Sequence, residues 1–442
     1  MRKTEEQKEI KKIDYYKHQQ DALDKTEADG HENAAYYHPC GSGKTITGAE
    51  QAYRYGGTIL IVCQKCKIPD WTEHWATYYD LPVYDLTKPA QYKKWLEDAN
   101  RTVGVITYDT LWRRDAVMQR DHLTVLCDES SLVSNEKAKR TKALIAMHNG
   151  GKIDHIVLLS GTPVDGKIER LWSQMILLGG RMKKWDYWNH YVIYHEQQFW
   201  GNMYPTKIID GYKNIDGLKT MLGDLGAQFL TRDECLGSLP DKQIVYLDTP
   251  APKQYREMLR EGIVTIDGTE LRGDSNLAKR LALRQICGAY NDKRYEQIEG
   301  VLETLEERCI IFYQFNSEKQ RLIDICEKLG KTMSEVSGSR HDLDAYNNCD
   351  DAVVLCQYQA ASMGLNLQKA SVLIMASMQE RYESHDQAIC RVWRDGQTRV
   401  CTIYICRCKG TIEDSIADCL ERKRDYTDQL FLQDTGAAVT AA

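Results

Sequence analysis

The sequence lacks any apolar run that approaches the roughly 18 residues of a membrane-spanning helix. Its longest apolar runs, such as 156–159, are far shorter than that. The N-terminal residues MRKTEEQKEIKKID are charged throughout, with no apolar segment of the kind that a secretory signal needs. We therefore expect neither membrane insertion nor export.

An excess of one charge and a short internal repeat are also missing. Lys and Arg number 58 against 64 Asp and Glu, a formal net charge of −6, so nucleic-acid binding would depend on local basic surfaces. The absence of a repeat period excludes a solenoid. With 42% hydrophobic and 28% charged residues over 442 positions, the composition is that of a soluble globular chain of roughly two to four domains.

The 15 cysteines are odd in number and spread along the whole chain. This distribution argues against a disulfide framework and predicts a reducing, intracellular location, namely the cytoplasm, or the host cytoplasm for a viral protein. The CxxC segment 63–66 has no second ligand pair at zinc spacing, so its alternatives are ordinary thiols or a zinc or redox site.

Short apolar or β-branched runs alternate with helical patterns in both halves of the chain, which favours parallel sheets covered on both faces. The segment 239–252 contains three of the nine prolines and is predicted to be the boundary between two α/β lobes. The predicted strands are 58–62, 103–107, 123–127 and 156–159, followed by 310–313, 353–356, 372–375 and 402–405.

The most specific motif is the segment 39–45 (PCGSGKT), which follows the apolar stretch Ala34–Tyr37. Small residues let backbone N–H groups approach phosphate oxygens, and the N-terminus of the following helix favours an anion. Lys44 would reach the β- and γ-phosphates, and the Thr45 hydroxyl would complete a Mg²⁺ site. The full P-loop pattern has glycine where His38 stands. The alternative is a Gly/Ser turn with an incidental lysine.

Two carboxylates, Asp128 and Glu129, follow the predicted strand 123–127. The first can hold Mg²⁺ through water, and the second can orient and deprotonate the attacking water. Acidic residues also form simple turns after strands. Their position behind a P-loop favours the catalytic interpretation.

Two arginines, Arg391 and Arg394, lie three residues apart in the segment 387–397 (QAICRVWRDGQ). On a helix they would share one face and could stabilise charge on a transferred phosphate. The alternative is a solvated arginine face near a turn.

Taken together, these motifs resemble superfamily 2 helicase-type ATPases, closest to the Swi/Snf-like translocases. The resemblance covers about residues 15–430 in the family's motif order, and the sequence QxxxRxxRxGQ that ends at Gln397 is its most specific piece. The other matching segments are 17–19 (KHQ), 60–62 with Trp71, 106–108 (ITY), 128–131 (DESS), 159–163 (LSGTP), 171–173 (LWS), 310–315 (IIFYQF), 364–368 (GLNLQ) and 411–413 (TIE). The chain departs from the family pattern at His38, at Gln64 and at Ser131, which replaces a histidine that would contact Ser160 and Thr162.

The resemblance implies an α/β fold with two RecA-like lobes, each a mainly parallel sheet flanked by helices, and ATP bound in the cleft between them. It implies four segments along the chain, the first with an insertion. They are an ATP-binding lobe at 1–245 with an aromatic-rich helical insertion at about 181–235, a helical linker or brace at 246–300, a helicase lobe at 301–434 and a tail at 435–442.

The resemblance also implies roles for single residues. Lys44, Thr45 and Asp128 would hold Mg·ATP, with Thr45 and Asp128 on the metal. Glu129 would activate water, and Arg391 and Arg394 would act when the lobes close. The other nucleotide contacts would be Gln19 on adenine, Gly41, Ser42 and Gly43 on phosphate, and Gly364 and Gln387 in the second lobe. Ser160, Thr162, Gly364 and Asn366 would couple the two sites or contact the nucleic-acid backbone.

The implied function is a motor that couples ATP hydrolysis to movement on duplex DNA, with a partner protein for targeting. Two alternatives remain open: a strand-separating DNA or RNA helicase, and a DNA-binding assembly protein with a vestigial ATPase. The aromatic residues of 181–235, which include Trp185, Tyr187, Tyr191 and Trp200, form either a stacking platform for bases or lobe packing.

Overall fold

The computed structural model describes residues 10–163, 167–198, 204–237, 239–361 and 365–422. The chain forms two compact units, Met1–Gly237 (unit 1) and Ser238–Ala442 (unit 2). The predictions for Trp200, Gly364 and the tail at 435–442 lie outside the described residues.

The elements of unit 1 alternate between strands and helices. The strands are β1 Ala34–Tyr37, β2 Thr58–Cys63, β3 Val83–Asp85, β4 Val103–Thr107, β5 Leu123–Asp128, β6 Ile153–Leu159, β7 Val192–Gln197, β8 Thr206–Tyr212 and β9 Ala227–Phe229. The helices are α1 Lys17–Ala28, α2 Lys44–Tyr55, α3 Ile68–Tyr78, α4 Pro89–Glu97, α5 Tyr108–Leu111, α6 Asp115–Met118, α7 Lys139–Asn149, α8 Leu171–Leu177, α9 Lys184–Tyr191, α10 Ile215–Asp224 and α11 Arg232–Leu236.

Seven strands of unit 1 form a parallel sheet, sheet 1, in the order β3-β4-β2-β5-β6-β1-β9. Strands such as β4 are buried along their whole length, because apolar clusters cover both faces of the sheet. In the register, Leu159 pairs with Asp128 on one side and with Tyr36 on the other. The carboxyl ends of these strands therefore meet at one edge, called here the carboxyl edge of sheet 1.

Unit 2 repeats this architecture. Its strands are β10 Lys242–Pro250, β11 Ile263–Ile266, β12 Thr269–Arg272, β13 Cys309–Tyr313, β14 Met333–Val336, β15 His341–Asp342, β16 Val353–Gln357, β17 Val372–Met375 and β18 Cys401–Lys409. Its helices are α12 Lys253–Glu261, α13 Asn276–Gly288, α14 Asp292–Glu303, α15 Asn316–Lys328, α16 Asp344–Asn348, α17 Tyr358–Ala361, α18 Tyr382–Ile389 and α19 Ile412–Glu421.

The sheet of unit 2, sheet 2, has the order β10-β18-β17-β13-β16-β14-β15. All its pairings are parallel except that of β14 with the short edge strand β15. Two mainly parallel sheets flanked by helices are the predicted fold class, which is confirmed.

The segment 239–252, predicted as the boundary between the lobes, is mostly a strand of unit 2. Within this segment β10 pairs in parallel with β18 from Lys242 to Pro250. The prolines do not interrupt this pairing because Pro240 and Pro252 flank the strand and Pro250 is its last residue, positions that an edge strand tolerates. The division between the units falls before β10, whereas a division at residue 245 would cut the strand.

The segment 181–235 is helical only in part. Strands β7 and β8 form an antiparallel hairpin between α9 and α10, and β9 joins sheet 1 beside β1. The segment thus adds an edge strand to sheet 1.

Neither a membrane helix nor a metal cluster occurs in the described part of the chain. No helix there combines the length and the hydropathy that a bilayer crossing needs. No group of three or more His, Cys, Asp or Glu side chains there could hold a metal ion, and the cysteines of the CxxC segment, Cys63 and Cys66, form no disulfide.

Candidate nucleotide site

The glycine-rich loop connects β1 to α2 at the carboxyl edge of sheet 1. Gly41 and Gly43 have φ angles of 85° and 75°, in the left-handed region that favours glycine. A Cβ on Gly43 would lie 2.2 Å from Gln19 Nε2, so the position also lacks room for a side chain. Lys44 Nζ donates a hydrogen bond of 3.0 Å to the Pro39 carbonyl oxygen. The ammonium group is therefore held against the loop that the motif assigns to phosphate.

Gln19 supports this loop from within the protein. The side chain is fully buried, and its Nε2 donates to the carbonyl oxygens of Ser42 and Gly43 at 3.2 and 3.3 Å. Its Oε1 accepts from the Tyr16 backbone N–H at 2.9 Å. These contacts make Gln19 a brace of the loop, and its role as a reader of adenine stays a prediction.

His38, which departs from the P-loop pattern, lies fully buried at the start of the loop. Among the described residues, neither ring nitrogen has a hydrogen-bond partner. Burial lowers the pKa of His38 to about 3, with smaller contributions from Lys44 and His18. The imidazole is therefore neutral at pH 7.

The acidic pair lies at the end of β5, and two aromatic side chains hold it. Trp71 Nε1 donates to Asp128 Oδ2 at 2.8 Å, and Tyr108 Oη donates to the Asp128 carbonyl oxygen at 2.8 Å. Glu129 has φ 55° and ψ 64°, a left-handed conformation that costs a non-glycine residue on the order of 1–3 kcal/mol. Strain of this kind clusters at functional sites, and the catalytic role of Glu129 stays a prediction.

The third motif lies beside the end of β1 and the glycine-rich loop. The backbone N–H of Ser160 donates to the Tyr36 carbonyl oxygen at 3.4 Å, and a Cβ on Gly161 would lie 3.6 Å from Lys44 Nζ. Ser160 Oγ accepts from the Thr162 N–H at 3.2 Å. The segment predicted to couple the two sites therefore begins beside the phosphate loop.

One residue that the motifs did not single out, Gln174 on α8, connects all three segments. Its Oε1 accepts from Tyr37 Oη at 2.9 Å and from Ser130 Oγ at 2.8 Å. Its Nε2 donates to the Pro163 carbonyl oxygen at 2.7 Å. A glutamine inside the mostly apolar stretch LWSQMIL, whose other polar residue is Ser173, was the sequence signal for this connection.

The residues present fit a Mg·nucleotide. Leu159 separates Tyr36 from Asp128 in the register, so their Cα atoms lie about 10 Å apart at ordinary strand spacing. The buried Ser42 hydroxyl has no partner among the described residues, and it lies in the loop assigned to phosphate. Thr45 and Asp128 offer the oxygen ligands that Mg²⁺ prefers.

The sequence predicted that Arg391 and Arg394 would lie on one face if their segment were a helix. In the structure these two residues are not helical, so they do not share a helix face. Helix α18 ends at Ile389, and the next residues form turns in which Arg391 N–H donates to the Ala388 carbonyl oxygen. Arg391 is buried, with 6% of its surface exposed, whereas Arg394 is half-buried and donates to the Leu365 carbonyl oxygen at 3.4 Å.

Gln397, the last residue of the arginine motif, holds the segment that follows the fifth motif. Its Nε2 donates to the carbonyl oxygens of Gln368, Ala370 and Val392 at 2.9–3.1 Å. Its Oε1 accepts from the next two backbone N–H groups. Elsewhere in this region, Gln387 donates to Glu383 Oε1 at 3.2 Å and Asn366 is exposed.

A groove of about 580 Å³ lies at the carboxyl edge of sheet 1, beyond β2 and β4. Lys65, Arg140 and the hydroxyl side chains of Thr87, Thr107 and Thr110 line it, together with Asp109. Beside it, Arg113 and Lys139 lie over the ring of Trp112 at 4.7 and 4.4 Å. The Thr87 and Thr107 hydroxyls already donate to Asp85 and Thr110, so the cations are the main groups of this surface that can bind phosphate oxygens.

Two family models match the chain in succession. The SNF2-related domain matches residues 4–289, and the helicase conserved C-terminal domain matches residues 293–396. Both matches agree with the predicted resemblance.

Known proteins resemble the chain at low identity. The SWI/SNF-related matrix-associated actin-dependent regulator of chromatin subfamily A-like protein 1 of Xenopus laevis is 26% identical over 353 residues, which are 76% of this chain and 36% of that protein. DNA repair and recombination protein RAD54B of Mus musculus is 22% identical over 437 residues, 82% of this chain and 48% of that one.

The chain thus spans about a third to a half of the length of these curated relatives. Among solved structures, the Sulfolobus solfataricus SWI2/SNF2 ATPase core in complex with dsDNA is 19% identical, with a TM-score of 0.44 over 96% of this chain and 94% of that one.

Proposed function

Since the chain belongs to the SNF2-related family, we propose that it is a motor that hydrolyses ATP and moves along duplex DNA. The observation that carries the proposal is the arrangement at the carboxyl edge of sheet 1. The glycine-rich loop, the acidic pair and the groove lined by Lys65 and Arg140 follow one another along a single parallel sheet. Ligands of parallel α/β sheets bind at this edge.

The proposed nucleotide chemistry uses residues of unit 1. Lys44 leaves the Pro39 carbonyl and pairs with the β- and γ-phosphates. Thr45 and Asp128 hold Mg²⁺, which neutralises phosphate charge when it is bound. Glu129 orients the attacking water and accepts its proton. Trp71 fixes one oxygen of Asp128, so the carboxylate keeps its orientation.

Arg391 and Arg394 of unit 2 are proposed as the arginines that stabilise the transferred phosphate. A guanidinium group at this point in the reaction cancels charge that develops on the phosphate oxygens. All three members of the proposed catalytic set, lysine, glutamate and arginine, are present, which argues against a vestigial ATPase.

The proposed DNA contact is the groove together with the basic residues beside it. Lys65 is exposed, and Lys139 and Arg113 flank Trp112 next to the groove. Phosphate oxygens are the feature that every nucleic acid shares, so these contacts give grip without reading the sequence. Because the whole chain carries a net charge of −6, such a local surface is where affinity must arise.

The test measures steady-state ATP hydrolysis without nucleic acid and then with duplex DNA, single-stranded DNA or RNA at low salt. We expect duplex DNA to stimulate hydrolysis the most. The double variant Lys65→Glu/Lys139→Glu should raise the DNA concentration for half-maximal stimulation about tenfold and flatten its salt dependence, because two phosphate contacts are lost.

The matched control is the double variant Lys93→Glu/Lys94→Glu on α4, where both lysines are exposed and neither lines the groove. It makes the same charge change as the tested variant, so stimulation should stay at the wild-type level. Hydrolysis that duplex DNA does not stimulate, or that RNA alone stimulates, would contradict the proposal.

A further inference from the structure

The Gln174 side chain contacts residues from all three segments of the nucleotide site inside unit 1. The side chain is fully buried, and so is that of Ser130, while Tyr37 is 4% exposed. Tyr37 directly precedes the glycine-rich loop, Ser130 directly follows Glu129, and Pro163 ends the third motif. A single amide therefore contacts one residue from each segment.

We propose that Gln174 is a positioning residue that sets Glu129 relative to the phosphate loop and the third motif. The proposal rests on the proposed ATP hydrolysis and adds a residue to it. Through Gln174, hydrogen bonds connect the acidic pair to the third motif without Ser131, which stands where the family has histidine.

The two ends of the Gln174 amide contact different segments of the site. Both hydroxyls, of Tyr37 and Ser130, donate to Oε1, which uses both lone pairs of that oxygen. The opposite end of the amide donates to the Pro163 carbonyl oxygen. A shift of the third motif therefore pulls on the same group that holds Ser130.

The effect on Glu129 follows from its backbone. Its φ of 55° is held by the start of the 3-10 turn Ser130–Val133, where the Leu132 N–H donates to the Glu129 carbonyl oxygen at 3.0 Å. Because Ser130 is the first residue of that turn, its tie to Gln174 fixes the direction in which the Glu129 side chain leaves the backbone. A misplacement of about 1 Å at a catalytic group costs on the order of 100-fold in rate.

The experiment replaces Gln174 by methionine, which keeps the side-chain length and removes all three hydrogen bonds. We expect Gln174→Met to lower DNA-stimulated kcat about 10- to 100-fold while the KM for ATP changes less than about twofold, since binding does not need the aligned glutamate. Ser130→Ala should lower kcat about three- to tenfold, the value of one hydrogen bond. The double variant should be no slower than Gln174→Met alone, because the two residues act through one contact.

The matched control is Gln228→Met in β9. Gln228 is also buried, and its amide donates to the Ala22 carbonyl oxygen and to Thr26 Oγ, both at 2.9 Å. The same substitution there should lower the melting temperature and leave kcat unchanged.

Three results would overturn the proposal. Gln174→Met with a lowered melting temperature but a wild-type kcat would mean that the glutamine only packs. Additive losses in the double variant would mean that Ser130 does not act through Gln174. If Gln174→Met does not fold, Tyr37→Phe and Ser130→Ala each remove one hydroxyl, and wild-type kcat in both would have the same meaning. A wild-type chain that binds Mg·ATP without hydrolysing it would overturn the proposed function as well, so the two failures are distinguishable.

Discussion

At the residue scale, Glu129 joins an unusual backbone conformation to a proposed chemical role. Its left-handed conformation directs the chain sharply away from β5, directly after the carboxylate assigned to the metal. We expect Glu129→Gln to bind Mg·ATP with wild-type affinity and to lose about 10²- to 10⁴-fold in kcat, because an amide cannot accept the proton. Nucleotide binding and phosphate release measure the two effects separately. Glu97→Gln, at an exposed position of α4, is the control, and loss of binding in Glu129→Gln would make Glu129 a structural residue.

The two arginines of unit 2 differ in burial, which gives them different expected effects. Arg394 is half-buried, and Arg394→Ala should lower kcat on the order of 10³-fold with little change in ATP affinity, by analogy with arginine fingers. Arg391 is only 6% exposed, so Arg391→Ala should in addition lower the melting temperature. Steady-state kinetics give kcat for both variants, and thermal unfolding gives their melting temperatures. Normal hydrolysis in Arg394→Ala would remove it from the catalytic set.

His38 makes the stability of unit 1 depend on pH. Its folded-state pKa of about 3 lies below its ordinary value of 6.5, so between these values the unfolded chain binds a proton that the folded chain does not. The free energy of unfolding therefore rises with pH across this window, by up to about 1.4 kcal/mol per pH unit from this residue. It falls again with the same slope as the pH decreases towards 3.

The variant His38→Asn tests this dependence. Urea unfolding between pH 4 and 6 should show a slope that is smaller by about 1 kcal/mol per pH unit than in the wild type. His122→Asn is the control, because the side chain of His122 is 84% exposed. An unchanged slope in His38→Asn would mean that His38 is protonated in the folded protein.

At the scale of elements, Gln397 ties the end of the arginine motif to the segment after the fifth motif. Without its side chain, the carbonyl oxygens of Gln368, Ala370 and Val392 would lose a buried donor. We expect Gln397→Ala to lower the free energy of unfolding of unit 2 by about 2–4 kcal/mol. The exposed Gln320→Ala on α15 should have little effect in the same denaturation experiment. Equal stability of the two variants would contradict this role.

The sequence left two roles open for the aromatic residues of α9, base stacking and lobe packing, and these residues differ in burial. Tyr187 and Tyr191 are buried and belong to the core of unit 1, whereas Trp185 is 68% exposed. Helical spacing places residues 187 and 191 on one face and residue 185 away from it. Packing is therefore the role of the tyrosines, and base stacking stays a prediction for Trp185.

Most of the strands that sequence patterns predicted are buried on both faces, whereas β18 alternates between buried and half-buried residues at 401–404. In β4 and β17, whose bounds match the prediction, every residue is apolar or small and every residue is buried. Strand β10 was missed because both of its faces are exposed around Ile244 and Val245, two consecutive residues that point to opposite sides, and because prolines surround it. Edge strands mix polar and apolar residues, so periodicity alone does not separate them from linkers.

Sequence patterns also found only part of the candidate site. Lys44, Asp128 and Glu129 were found because loops at strand ends have recognisable sequences, and the structure brings the loop and the acidic pair to one edge. Gln174 could not be found in this way. Its role depends on partners 44 and 137 residues away in the sequence, and only the register of the sheet brings these together.

At the scale of the whole molecule, the chain has little with which to separate strands between the fifth and sixth motifs. Residues 369–386 contain β17 and the first part of α18, and no hairpin. The hairpins of the described residues, β7–β8, β11–β12 and β14–β15, lie in other parts of the chain. Together with the local basic groove, this arrangement favours tracking along a closed duplex over unwinding it.

A motor of this kind should displace the third strand of a DNA triplex and leave a plain duplex paired. Displacement should require ATP. Lys44→Ala should therefore abolish displacement, because the substitution removes the phosphate contact without removing core volume. It should also fall steeply with salt, since the grip depends on phosphate contacts and a protein with 6–10 such contacts loses about 10³–10⁵ in affinity between 50 and 200 mM salt. Triplex displacement and duplex unwinding assays, run with the same preparation across a salt series, measure both activities. Robust unwinding of a plain duplex, with hydrolysis stimulated only by single strands or RNA, would show instead that the chain is a strand-separating helicase.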